Sequence, residues 1–253
     1  MTNIKLTIEY DGTDFRGWQI QSRGERTVQA VIRDTFFHIF GENINLIGSG
    51  RTDSGVHAAG QVANFRTAVR KPPAEIRNAL NAHLPKDVAI LEAVPVPDDF
   101  HAQYSAKSKT YRYQILNREV RSPLGERTAL RFIYPLNTEL MQTAANELVG
   151  EHDFRSFKGT NRSNRNGNDV RTVSVLKVRR KGELITVDIT ANGFLYKMVR
   201  NISGLLLECG AGRIPPREVR RILRARDRKA APAAAPAHGL SLIKVAYPGR
   251  KMG

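Results

Sequence analysis

Ile4-Lys-Leu-Thr-Ile-Glu-Tyr10 and, after a turn-rich segment, Val28-Gln-Ala-Val-Ile-Arg-Asp-Thr-Phe-Phe-His-Ile-Phe40 decide the fold class. In the first run Ile4, Leu6, Ile8 and Tyr10 alternate with polar residues, so they share one face of a strand. In the second, Val28, Val31, Ile32, Thr35, Phe36, Ile39 and Phe40 recur at three and four, the spacing of one side of a helix. Thr27 is placed to cap that helix and Gly41 to end it. A one-faced strand followed by an amphipathic helix reads as a helix packed on a sheet.

Further along, Val62 to Phe65 resumes as a strand after a run rich in small residues from Gly48 to Gly60. Residues 76–84 read as a short helix and 88–94 as a strand, and Pro95, Pro97 and Asp98 lead to a boundary near 105. The same layout then recurs. Tyr111, Tyr113 and Ile115 alternate; Leu140, Met141, Ala144, Ala145 and Leu148 form a helical stripe; Val173 and Val175 face Ile185, Val187 and Ile189 across a turn at Lys181-Gly182. Phe194, Leu195, Met198, Val199, Ile202, Leu205 and Leu206 form a further apolar stripe, with Tyr196, Arg200 and Ser203 opposite. Pro215 and Pro216 open a basic helix running through Arg224. The expectation is an α+β protein of two similar halves, 1–105 and 106–253, with a cleft between them.

The 253 residues carry 40 Lys and Arg against 24 Asp and Glu, a formal charge of +16. That exceeds the magnitude of about 2 to 8 suited to a soluble small domain. It points to a polyanionic partner, nucleic acid first, against the plainer reading that surplus arginine only keeps the chain soluble. Apolar residues make up 41%, enough for a core, which excludes a disordered chain. The single cysteine, Cys209, excludes a disulfide framework within the chain and a zinc site of paired cysteines, and fits a reducing cytoplasm. The amino terminus lacks the apolar core of a signal peptide, and no run reaches the roughly 18 apolar residues of a membrane span.

Gly50-Arg-Thr-Asp-Ser-Gly-Val-His57 is the stretch most suggestive of chemistry. Arg51 and Asp53, two apart, project to one side of an extended loop, where a guanidinium lies beside a carboxylate. The competing reading is a turn in which Asp53 is a cap and Gly55 supplies positive φ. His57 is either a proton shuttle or a hydrogen-bonded structural residue, and no second His or Cys stands at metal-ligand spacing. Tyr111 is either core or an aromatic at a cleft edge that stacks on a base. Arg200, opposite its apolar stripe, reads as solvated unless a cleft lies on that side. Residues 155–171 hold five cations against one acid, and 213–229 hold eight cations against Glu218 and Asp227. Both suit phosphate contacts, and the first suits a loop ordered by RNA; each is otherwise a solvated face.

Tyr10-Asp-Gly-Thr-Asp-Phe-Arg-Gly-Trp-Gln-Ile-Gln21, Thr27-Val-Gln29, Gly50-Arg-Thr-Asp-Ser-Gly-Val-His-Ala58, His152-Asp-Phe154, Phe194-Leu-Tyr-Lys-Met-Val-Arg-Asn201 and Ala235-Pro-Ala-His-Gly-Leu-Ser-Leu242 resemble, in order, the motifs of the tRNA pseudouridine synthase A family. The resemblance implies isomerisation of uridine to pseudouridine at positions 38 to 40 of the tRNA anticodon arm, without cofactor or metal, by a cytoplasmic homodimer. It implies two ferredoxin-like (RRM-like) halves, each a mainly antiparallel sheet with helices on one face, around a basic cleft. Asp53 matches the catalytic carboxylate, Arg51 and Arg200 the basic residues around it, Tyr111 the aromatic against the target base, and Leu240 an apolar wall of the uracil pocket. Arg33 stands where many members carry Glu, and Ala231 and Ala234 where Gly and Thr are common. The alternatives are a non-catalytic structured-RNA-binding protein or chaperone, and a ribosome-associated module; both make Asp53 dispensable.

Overall fold

The computed structural model describes residues 1–22, 24–160 and 168–248, and the chain divides into two compact units, Met1–Lys107 with the segment from Ser241, and Ser108–Leu240.

The first unit runs β1 (Thr2–Tyr10), α1 (Val28–Phe40), β2 (Ile47–Gly48), β3 (His57–Thr67), α2 (Pro73–His83) and β4 (Val88–Pro95). β1 is antiparallel to both its neighbours, with Leu6 opposite Ala63 of β3 on one side and Ala93 of β4 on the other; β2 adds to β3. Ile4, Leu6 and Ile8 are buried on one face. On β3, Phe65 pairs in register with Ile4 and meets Phe36 of α1 edge-on, with ring centroids 5.1 Å apart. α1 starts and stops on local signals: Thr27 Oγ1 accepts from Ala30 N at 3.3 Å, and Gly41 takes a left-handed φ of 67°.

Two boundaries differ from the sequence reading. β3 begins at His57, so 57–60 is strand rather than loop; almost every residue of β3 is buried, which erases the alternation that marks a one-faced strand. α2 begins at Pro73, before the expected 76, because a proline in the first turn lacks only an N–H that has no helical partner there. Asn3 and Asn64 bond each other at 3.0 Å, and they also hold the exit segment: Asn3 Nδ2 donates to Pro97 O at 2.9 Å and Asn64 Oδ1 accepts from Ala102 N at 2.8 Å.

The second unit runs β5 (Ser108–Leu116), β6 (Leu130–Arg131), α3 (Thr138–Asn146), β7 (Gly150–Asp153), β8 (Val170–Lys181), β9 (Leu184–Ala191), α4 (Met198–Gly210) and α5 (Glu218–Ala225). Its sheet is antiparallel in the order β5-β9-β8-β7, with β6 parallel to β5. Tyr113, Ile115, Ile185, Val187 and Ile189 form its buried face. On the other face Arg112 and Arg179 converge on Asp188, at 2.7 and 2.6 Å.

α4 starts at Met198 rather than near Phe194, because Lys197 adopts a left-handed φ of 57° and breaks the helical run before it. Nor is the side opposite its apolar stripe solvated. Ser203 is fully buried and Arg200 half-buried, because residues 231–236 cross that side of the helix. Gly204 makes the crossing possible: a Cβ there would collide with Ala233 O. α5 likewise begins at Glu218, the two prolines before it forming a lead-in turn that receives the amides of Glu218 and Val219.

The last strand, β10 (Leu240–Ala246), runs parallel to β3, Ser241 opposite His57 and Leu242 opposite Ala58. The segment from Ser241 therefore groups with the N-terminal unit, whereas the sequence reading carries 106–253 as one half. The protein is α+β with mainly antiparallel strands, and no helix among the described residues is long and apolar enough to cross a membrane.

Candidate active site

Residues 49–56 connect β2 to β3, and the segment just after β1 holds them. Tyr10 OH and Thr52 Oγ1 are 2.8 Å apart and both buried. Trp18 N donates to Thr52 O at 3.2 Å, while Gly55 N and Ser54 Oγ both donate to Phe15 O, at 3.3 and 3.1 Å. Gly17, with φ of +91°, lies so close that a Cβ would come within 2.6 Å of Thr52 O. At the other end of the loop, Gln61 Oε1 accepts from Ser49 Oγ at 2.7 Å and its Nε2 donates to Gly50 O at 3.0 Å. Burial of Tyr10 pushes its phenol up to about 12, so it stays a neutral hydrogen-bonding group.

Asp53 sits half-buried and Arg51 exposed, on either side of buried Thr52. The turn expected there exists: Val56 N donates to Asp53 O at 3.1 Å and Gly55 has φ of 77°. One of its hydrogen bonds is accepted by the backbone carbonyl of Asp53. His57 is buried, and its Nδ1 lies 3.0 Å from Gly12 N, which donates to it. Asp11 Oδ1 lies 3.1 Å from the same nitrogen. This geometry gives His57 a structural task, joining the start of β3 to the loop after β1.

The other three expected site residues belong to the second unit. Tyr111 is 8% exposed and stands edge-on to Phe194, centroids 5.1 Å apart at 87°. Arg200 and Ala235 exchange two hydrogen bonds, Arg200 Nε to Ala235 O at 2.8 Å and Ala235 N to Arg200 O at 2.9 Å. Leu240 is buried, and just before it Pro236 O accepts from Tyr113 OH at 2.9 Å. The segments 194–201 and 235–240 thus meet, as 10–18 and 50–57 do in the first unit.

The basic tracts are partly engaged within the fold. Arg213 pairs with Glu208, Arg220 with Glu147, Arg221 with Glu218 and Arg226 with Asp153. Lys158 and Arg155 bind Asp169, which is 8% exposed; the middle of the 155–171 loop, residues 161–167, lies outside the described residues. Arg33 pairs with its neighbour Asp34 at 2.7 Å. Among the described residues no three His, Cys, Asp or Glu side chains are grouped to hold a metal ion.

A family model described as tRNA pseudouridine synthase matches residues 6–105 and 144–248. The chain belongs to the tRNA pseudouridine synthase family. A protein of Thermoanaerobacter sp. (strain X514) named tRNA pseudouridine synthase A is 45% identical over 247 residues, covering 98% of this chain and all of that one. Its namesakes from Halalkalibacterium halodurans and Alcanivorax borkumensis are 46% and 41% identical, covering 95% and 98% of this chain and 90% and 92% of theirs. Within this member of the tRNA pseudouridine synthase family, sequence reasoning missed the residues that hold the Asp53 loop. Tyr10 read as an inward strand residue, Gly12 and Gly17 as part of a turn, and all three as part of a family motif, but none as a support of the Asp53 loop. Their signal was present in the cluster of glycines and aromatics from 10 to 18, which marks a backbone packed closely against another.

Proposed function

We propose that this chain isomerises uridine to pseudouridine in tRNA, at positions 38–40 of the anticodon arm, with Asp53 as the catalytic carboxylate. The observation that carries the proposal is identity of 45% to a tRNA pseudouridine synthase A over the whole of that relative. The build of the Asp53 loop supports it. Hydrogen bonds from two sides fix the backbone around Asp53, as a preorganised catalytic group requires.

In the reaction the bond from N1 to C1′ breaks and a bond from C5 to C1′ forms. C5 loses its proton and N1 gains one, so the product is an isomer and no oxidant or reductant takes part. The target base leaves its stack at a cost of a few kcal/mol. Stacking on Tyr111, worth about 1–3 kcal/mol, offsets this, together with phosphate contacts from the basic loops. Asp53 then acts on C1′ or its 2′ hydrogen, or on C6 of the ring, as nucleophile or base. Arg51 and Arg200 balance its charge, and Leu240 walls the uracil so that the detached base turns without escaping. Two ferredoxin-like halves with a basic cleft, a homodimer, a cytoplasmic location and independence of cofactor and metal belong to the same proposal and rest on the resemblance.

The test is tritium release from tRNA carrying 5-tritiated uridine, beside filter binding of the same tRNA. Asp53→Asn is expected to release no tritium above background while binding tRNA within about twofold of the unsubstituted protein. Turnover retained in Asp53→Asn removes Asp53 from the mechanism, and no release by the unsubstituted protein leaves RNA binding alone.

A further inference from the structure

Arg228 falls in the tract of eight cations whose composition suggests phosphate contacts, yet its guanidinium points into the protein. Nη1 donates to Ala231 O at 2.7 Å, and Nη2 donates to Pro232 O at 2.8 Å and to Asn201 Oδ1 at 2.9 Å. Asn201 is 1% exposed, and its Nδ2 donates to Phe157 O at 2.6 Å, so this acceptor is itself anchored. One planar fork therefore ties two successive carbonyls to the first turn of α4, a geometry that a single ammonium does not reproduce.

The carbonyls it grips begin a strap, residues 231–239. Three residues on, Ala235 exchanges its two hydrogen bonds with Arg200; Pro236 O then receives Tyr113 OH, and the strap delivers Leu240 to the start of β10. Two of the residues expected to hold the target nucleotide, Arg200 and Leu240, thus take their positions from this strap. Arg228 fastens its beginning.

We infer that Arg228 is a positioning residue for the isomerisation: it fixes the strap that orients the Arg200 guanidinium and places Leu240, and it makes no contact with RNA. The inference rests on the proposed function for its catalytic half only. Its structural half has a separate readout, the exchange of the strap amides with deuterated water.

Three variants and the unsubstituted protein are compared. Arg228→Ala is expected to lower kcat about 100-fold per folded molecule, the loss typical of a reacting group displaced by about 1 Å, with KM for tRNA changed less than twofold. Guanidinium chloride at millimolar concentration is expected to restore part of that kcat in Arg228→Ala and to leave Arg200→Ala unrescued. Arg228→Lys, which keeps the charge but not the fork, is expected to fold normally and remain at least tenfold down in kcat. The amides of Ala231, Ala233, Ala234 and Ala235 exchange faster in both Arg228 variants. Three results overturn the inference: a rise in KM with unchanged kcat and a salt dependence of tRNA binding shallower by about one contact; full kcat in Arg228→Lys; or loss of activity accounted for entirely by loss of folded protein. An unsubstituted protein without turnover refutes the proposed function instead, and unchanged strap exchange in Arg228→Ala refutes the inference whatever the activity.

Discussion

Tyr10 shows how much of this molecule depends on single polar contacts made across long stretches of chain. Its ring was legible as an inward strand residue, because alternation is a local property. The partner of its hydroxyl, Thr52, was not, since a bond between residues 42 apart leaves no trace in either segment's pattern. Replacing Tyr10 with Phe strands a buried threonine hydroxyl and is expected to cost about 1–3 kcal/mol in urea denaturation. It also frees the backbone beside Asp53, so kcat falls more than tRNA affinity. The same phenol sets a pH dependence. Its folded value of about 12 lies above the ordinary value of 10.0, so the folded state holds this proton more tightly than the unfolded state does. That contribution is complete below pH 10 and is lost as pH rises from 10 towards 12. Burial raises Tyr113 and Tyr247 in the same direction. Denaturation midpoints measured from pH 8 to 12 should therefore fall above pH 10, and less steeply in Tyr10→Phe.

At the scale of elements, α1 and α4 are opposite cases. α1 was legible almost to the residue because its signals lie within or beside it: a threonine that accepts from Ala30 N, an apolar stripe, and a glycine that leaves the helix. Thr27→Ala removes the cap and is expected to destabilise by about 1 kcal/mol; a change below about 0.3 kcal/mol in the denaturation midpoint analysis contradicts that role. α4 was misjudged on its second face. The residues that cover it, 231–236, lie in an alanine- and proline-rich stretch with no periodicity, so nothing local announced that they cross a helix. Gly204 is the mark they leave, since its missing Cβ accommodates Ala233 O. Gly204→Ala should displace the strap and lower both thermal stability and turnover, while Gly212→Ala, where no neighbour lies within contact but φ is +74°, should cost stability through backbone strain alone.

For the whole molecule, the charge of +16 fits a tRNA-binding enzyme, but the fold sorts the cations that composition lumps together. Five of the eight between 213 and 229 engage carboxylates or carbonyls of the protein, and the exposed Arg217 and Arg224 have no ion pair among the described residues. If phosphate contacts come from this tract, Arg217→Ala with Arg224→Ala flattens the dependence of log Kd on log salt by about 1–2 and leaves the rate at saturating tRNA unchanged. An unchanged slope moves the phosphate contacts elsewhere. The Asp53 loop was legible through six motifs in family order, yet the grouping of the last strand was not, because β10 returns to the first unit from the far end of the chain. The claim on which the rest depends is that Asp53 does the chemistry. It is tested most directly by mapping pseudouridine in tRNA from cells that lack this gene and are supplied with either the unsubstituted protein or Asp53→Asn. The account predicts that pseudouridine at positions 38–40 returns with the unsubstituted protein and stays absent with Asp53→Asn; its return with Asp53→Asn contradicts the account.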